Sequence, residues 1–536
     1  MTKAEAMAPQ VGDEAREPRQ STLSHWFNPI LVKEARQAAS SPAFAGVLLT
    51  LIAALAGWTI FTVAMASPTG GWGRSLLLGY ACILSFVMLV IVPWMAHQSM
   101  ASELQGNTLE LLMMSSISPG QVIRGKLHSV MAIAGTFFSA MAPCFAFGYL
   151  AGNVSLLQVL SFLATVLLAS WFLSSGAIFL AALRRVSPLV VFFGLGLVQI
   201  AGGIAFGLPV WFLAQLESST ATWRWLHVEH PGVAISVVAM ALAAISLFNA
   251  AGAASLTFPA ANRSSPLRWR LLVLATTAMV FLVAMFEAFV FDDEPVVVLS
   301  VLFFIVWLGI GSLLVAERSQ MSSRARRAFP ASRLARIPIA WLIPGNATGY
   351  LFAISVVWAY SLVVAYLFRR PVLSQIYVIP LILFVSASYY TLFLGLTRFI
   401  LVLLRRRTPR AGFGTSFCIL AVLLVGGHFV GWACDFYSLY PFTQASFTMG
   451  GFLSWPRALE ILLTTQTASL PMGGVPGSGP AFVPVLVGSL AALVVLLTLP
   501  AAAAQIFAPT TPVPHAVEVA TLSRQPAKPT TDPFAD

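Results

Sequence analysis

Three groups of residues in this 536-residue chain have the types and spacing to do chemistry. Gly120-x-x-x-x-Gly125-Lys126 reproduces the first seven positions of the loop that cradles nucleotide phosphates, Gly-x-x-x-x-Gly-Lys-[Ser/Thr]. Asp292-Asp293-Glu294 could hold a divalent metal and an activated donor. Cys82, Cys144, Cys418 and Cys434 are the only thiols. They are far apart, with no CxxC and no Cys/His cluster, so neither a zinc site nor a disulfide framework is supported. They read as small apolar fillers.

The phosphate-loop match fails in its surroundings. Leu127 stands where the magnesium-ligating hydroxyl belongs. Ser118-Pro119-Gly120-Gln121 reads as a helix start. Serine caps, proline takes the first helical position, and glutamine three residues after the serine completes a capping box. Gly120 then lies in a first helical turn. The residues before it, LELLMMSSIS, read as an amphipathic helix and a turn rather than a buried strand. No nucleotide is expected on this chain.

The elements that must position these residues follow from composition. The chain is 58% hydrophobic and 9% charged, against roughly 25% charged in a soluble domain. Such a chain cannot face water over most of its area, which predicts an all-α polytopic membrane protein. A span needs about 20 apolar residues. Twelve runs qualify: 43–66, 75–96, 127–150, 156–182, 188–214, 232–254, 270–291, 296–316, 349–368, 375–403, 412–434 and 480–507. Pro143, Pro209 and Pro380 fall inside runs, which lipid tolerates where neighbours satisfy the freed carbonyls. Residues 1–24 are polar and lack the apolar core of a cleaved signal, so the first span is expected to direct insertion.

Arginines and lysines near the span ends set orientation. With the N-terminus in the cytoplasm, Lys33, Arg36, Arg124, Lys126, Arg184, Arg185, Arg263, Arg268, Arg270, the arginines of 318–336, Arg405, Arg406, Arg407 and Arg410 fall inside. Asp292-Asp293-Glu294 falls outside, and Arg369-Arg370 is the exception. An even number of spans returns the C-terminus to the cytoplasm. The net charge of +11 is thereby a topology signal that requires no nucleic-acid partner. Lys33, Arg36, Arg124 and Lys126 are expected to hold span ends at the lipid headgroups. The spans are otherwise nearly free of charge, Glu287, Arg398 and His428 apart, which speaks against an ion-coupled transporter.

Loop lengths suggest a repeat. Long inner loops at 97–126 and 317–348 follow the second and eighth runs, and each carries a glutamate near the membrane, Glu103 and Glu317. The expected organisation is a polar cytoplasmic stretch over 1–24, a six-span module over 25–254 with an inner-face helix at 28–40, a cytoplasmic linker at 255–268, a second six-span module over 269–508 with an outer loop at 435–479, and a disordered cytoplasmic tail over 509–536.

The stretch ASELQGNTLELLMMSSISPGQVIRGKLHS, residues 101–129, resembles the cytoplasmic signature of type-2 ATP-binding-cassette (ABC) exporter permeases. Glu103, Gly106, Thr108, Leu109, Glu110, Leu111 and Leu112 match that pattern, with Asn107 inserted, as do Ser118, Pro119, Val122, Gly125 and Lys126. Only one acid remains of the charged run that usually precedes the glycine. Asn28, Pro29, Lys33, Glu34 and Arg36 are similar to the family's opening motif, an inner-face helix. Family resemblance implies a permease that binds no cofactor itself and is driven by a separate cytoplasmic ABC ATPase, on which ATP and magnesium would sit. Glu103, Gly106, Thr108, Glu110, Leu111 and Leu112 would then couple to that ATPase. The residues themselves allow this: Leu104, Leu111, Leu112 and Ser115 share one helical face and Glu103, Asn107 and Glu110 another, as suits a helix lying in a partner's groove. The resemblance also implies the plasma membrane, with lipid around the spans and a homodimer or second permease chain if one chain supplies only half. The competing expectation is a polytopic enzyme, such as a glycosyltransferase with a lipid-linked donor, built on Asp292, Asp293 and Glu294.

Overall fold

The computed structural model describes residues 32, 34, 36–37, 40–66, 72–106, 118–152, 154–183, 188–217, 229–257, 262–288, 294–318, 329–330, 332, 334–337, 339–368, 378–408, 411–437, 454, 456 and 482–507. Among them there is no strand. The helices are α1 Pro42–Ala64, α2 Trp72–Gln105, α3 Pro119–Gly152, α4 Leu156–Ala182, α5 Pro188–Glu217, α6 Pro231–Leu256, α7 Ser264–Ala288, α8 Glu294–Val315, α9 Asn346–Leu367, α10 Val378–Arg405, α11 Phe413–Tyr437 and α12 Phe482–Ile506. Two short 3-10 turns, Leu334–Arg336 and Ala340–Leu342, lie between α8 and α9.

Ten helices among the described residues are long and apolar enough to cross a membrane. The other two expected runs are also helical, in α5 and α11. Their described apolar stretches, Gly196–Phe212 and Phe413–Phe429, are shorter. The outward surface is apolar, as lipid demands: Ile60 is 70% exposed and Phe206 82%. The chain is an all-helical polytopic membrane protein.

Two compact units divide the chain, one of residues 1–185 and 193–221, the other of 186–192 and 222–536. The expected first module ended at 254; here α6 belongs with the second unit, because it packs along α7. The expected linker 255–268 is also shorter, since α7 already begins at Ser264. The expected loop 97–126 shrinks in the same way. Residues 97–105 continue α2, and 119–126 open α3. No separate helix starts at 103.

In the first unit, α2 packs against α1, α3 and α4. Glycine lets α2 and α3 approach: a Cβ at Gly73 would lie 2.2 Å from the Ala151 carbonyl oxygen. Mid-way along α2, Val87–Ile91 forms a π turn just before Pro93. The extra residue relieves the clash of the proline ring with the preceding turn. In the second unit α10 lies against α9, α12, α11 and α8. Its core is aromatic and polar-tipped: the Tyr390 hydroxyl donates to the Trp307 carbonyl at 2.8 Å, the Tyr350 hydroxyl to the Thr391 carbonyl at 3.0 Å, and Tyr360 stacks on Phe303 at 3.8 Å. The Tyr360 hydroxyl pairs with that of Ser300 at 3.0 Å, so each of these three tyrosine hydroxyls finds the partner that burial requires.

Candidate functional site

The start of α3 is built as its residues dictate. The Gln121 amide donates to the Ser118 hydroxyl at 3.4 Å, and the Ser118 amide donates to the Gln121 side-chain oxygen at 2.8 Å. That reciprocal pair is the capping box, and Pro119 follows it at the first helical position. Gly120 is therefore helical, and Lys126 comes almost two turns later rather than at the mouth of a loop.

Lys126 points inward. Val122, Lys126, Val130 and Ile133 recur at helical spacing on the buried face of α3. A charge on that stripe must be paired. The Lys126 ammonium lies 3.0 Å from Glu103 Oε1 and 3.4 Å from Glu34 Oε1. It also donates to the Ser99 carbonyl at 3.1 Å and the Ser99 hydroxyl at 3.0 Å. The Ser99 hydroxyl in turn donates to Glu34 Oε2 at 3.2 Å. The lysine side chain is 1% exposed, the two glutamates 17% and 15%. Two acids and one base share this cluster, and they come from three places: the helical residues before α1, the end of α2 and the start of α3.

This corrects the headgroup-anchor expectation for Lys126, which is buried in ion pairs. Arg36 and Arg124 are exposed. Gly125 is buried beside the cluster. Gly106 closes α2, its amide donating to the Ser102 carbonyl at 2.9 Å. Asn28, Pro29, Lys33, Thr108, Glu110, Leu111 and Leu112 lie outside the described residues. So do Asp292 and Asp293, while Glu294 begins α8.

The second unit contains a comparable polar knot that sequence reasoning did not single out. Arg268, on the first turns of α7, has no exposed surface. Its Nη2 donates to Glu317 Oε2 at 2.6 Å and to the Gly345 carbonyl at 2.9 Å. Its Nη1 donates to the carbonyls of Trp341 and Ile343 at 3.1 and 2.6 Å and to the Thr348 hydroxyl at 3.2 Å. Glu317 Oε2 accepts from the Gly345 amide at 2.9 Å, and Glu317 Oε1 from the Ser264 hydroxyl. Gly345 has φ 155° and ψ 156°, a region that glycine alone occupies readily. Arg405 donates to the Glu317 and Ala316 carbonyls. The α9 N-terminus is capped from α12: Gln505 Oε1 accepts from the Ala347 and Thr348 amides, both at 3.2 Å.

The sequence signal for both knots was a cation on an apolar stripe. Arg268 precedes Leu271, Ala275 and Leu282 on the buried face of α7, as Lys126 does its own neighbours on α3. Cys82 and Cys418, expected as small apolar fillers, are exposed.

No known family model, curated protein or solved structure matches this chain.

Proposed function

We propose that the chain is the membrane-spanning permease subunit of an ABC transporter, driven by a separate cytoplasmic ATPase. One observation carries this reading. Glu34 and the pair Glu103 and Lys126 were singled out from two stretches that resemble separate motifs of type-2 ABC exporter permeases, and the three side chains meet in one buried cluster. A push on the segment between α2 and α3 reaches Glu103 and Lys126 directly, and Glu34 through them. These ion pairs transmit such a push because parting them strands the charge of the buried Lys126. The connector 107–117 is then the surface offered to the ATPase, on the cytoplasmic side of the plasma membrane, with both termini on that side.

The second unit supports a two-half arrangement. Glu317 follows α8 as Glu103 ends α2, and each meets a buried cation. On this reading one chain contributes both permease halves, and the 317–345 connector faces a second ATPase copy.

The test is a gentle-detergent pull-down of the tagged chain from its native membrane after crosslinking, with partners identified by mass spectrometry. A stoichiometric soluble ATPase with a complete phosphate loop is expected. Its absence after crosslinking would remove the reading. The purified chain alone is expected to hydrolyse no ATP, and saturable nucleotide binding to it would count equally against the proposal.

A further inference from the structure

Three arginines of the second unit have acceptors built for them, Arg268 keeping only its Nε without one. Arg268 and Arg405 are described above, and Arg336 donates to the Pro330 carbonyl at 2.7 Å and the Ile506 carbonyl at 3.2 Å. Arg398 does not. It is 5% exposed, yet its Nε and Nη1 are buried with no hydrogen-bond partner. It lies on the buried stripe of α10, between Leu394 and Leu401, both without exposed surface. Seven residues separate it from Arg405, about 10 Å of helix rise, so it sits well inside the span. A guanidinium with two buried nitrogens that lack acceptors is costly, and proteins keep such groups where a ligand satisfies them.

The surroundings describe the ligand. Guanidinium pairs with planar or tetrahedral oxyanions through parallel N–H donors. The Arg398 guanidinium carbon lies 5.4 Å from the ring centroid of Phe399, which is 36% exposed on the outer face of α10. Ile400 and Leu403 continue that outer face. The charge is therefore one aromatic ring from lipid. A free ion would have to cross apolar surface to reach it, whereas an amphiphile carries its own headgroup along that surface.

We propose that Arg398 is a binding site for the oxyanion headgroup, phosphate or carboxylate, of a membrane amphiphile. The site stands independently of the ATPase partner and of the permease assignment.

The experiment titrates the delipidated full-length chain in detergent, counting bound molecules by native mass spectrometry. The probes are dioctanoyl phosphatidate, dioctanoylglycerol and inorganic phosphate. Phosphatidate is expected to saturate one site more tightly than dioctanoylglycerol, and Arg398→Gln to weaken it by about tenfold, the scale of a lost charge-assisted hydrogen bond. Arg398→Lys, which keeps charge without the fork, should fall between. Equal binding of phosphatidate and dioctanoylglycerol would overturn the proposal, as would unchanged affinity in Arg398→Gln. Inorganic phosphate binding as tightly as phosphatidate would overturn the membrane source and assign the site to a free anion. Should Arg398→Gln fail to fold, the comparison of probes on the natural chain decides alone.

Discussion

At Lys126, Arg268 and Arg398 the same residue-level problem has two outcomes. Each cation lies on a buried helical stripe. Lys126 and Arg268 have carboxylates within 3.0 and 2.6 Å, and Arg398 has no acceptor for two of its nitrogens. Removing one member of a buried pair strands the other and typically costs about 3–5 kcal/mol. Arg268→Met should approach that loss. Lys126→Met should lose less, since Glu34 and Glu103 keep some contact with solvent. Arg398→Met should do the opposite and raise Tm in delipidated detergent, because a charge without a partner is exchanged for an apolar side chain of similar length. Thermal unfolding of the three variants separates these signs, and a fall in Tm for Arg398→Met would mean that the guanidinium is satisfied without a ligand. A cation beside an apolar stripe is visible in the sequence at Lys126 and Arg268, yet from sequence the first is expected at the lipid headgroups and the second in a linker. The partners are not visible there: Lys126 comes 92 positions after Glu34, and local pattern does not reach that far.

The helices are held together by small residues at close approaches and by capping between elements. A Cβ at Gly73 would meet the backbone of Ala151 at 2.2 Å, and one at Gly395 would meet Val494 at 2.1 Å. Gly57 has open space. Gly73→Val should therefore part α2 from α3 and cost about 1–3 kcal/mol or more, the range for overpacking. Gly57→Ala should leave stability unchanged or raise it, as alanine is the better helix former. Comparable losses in both would show that the close approach of α2 and α3 is not what the glycine serves. Gly345→Ala should also destabilise, since its Cβ would fall 2.3 Å from the Gln505 side-chain oxygen that caps α9. Element boundaries were partly legible. The capping box at Ser118 placed the start of α3 correctly. The continuation of α2 to Gln105 was missed, because its last turns are polar and were read as loop. The π turn at Val87–Ile91 was also missed, although Pro93 marks the place.

At the scale of the whole molecule, the proposed topology sets the connectors after α2 and α8 in the cytoplasm. A single cysteine at Ser118, exposed at the start of α3, checks this in a background lacking the four native thiols. It should react with an impermeant maleimide only after the membrane is opened, and labelling in intact cells would reverse the topology. If one chain supplies both halves, the crosslinked complex should contain one copy of this chain and two ATPase copies. Two copies of this chain would mean that each supplies a half.

The sequence by itself determined the solvent and the class of fold. A chain with so few charges must face lipid, lipid leaves backbone polar groups no partner except within helices or a closed barrel, and apolar runs of about 20 residues have the length of helices. It did not show that Lys126 and Arg268 are buried. Only the tertiary structure decided how they were paired. Glu34 and Glu103 converge on Lys126, and Glu317 on Arg268, through packing among helices distant in sequence. Hydrophobic periodicity reports which face of a helix is buried and carries no information about what that face meets.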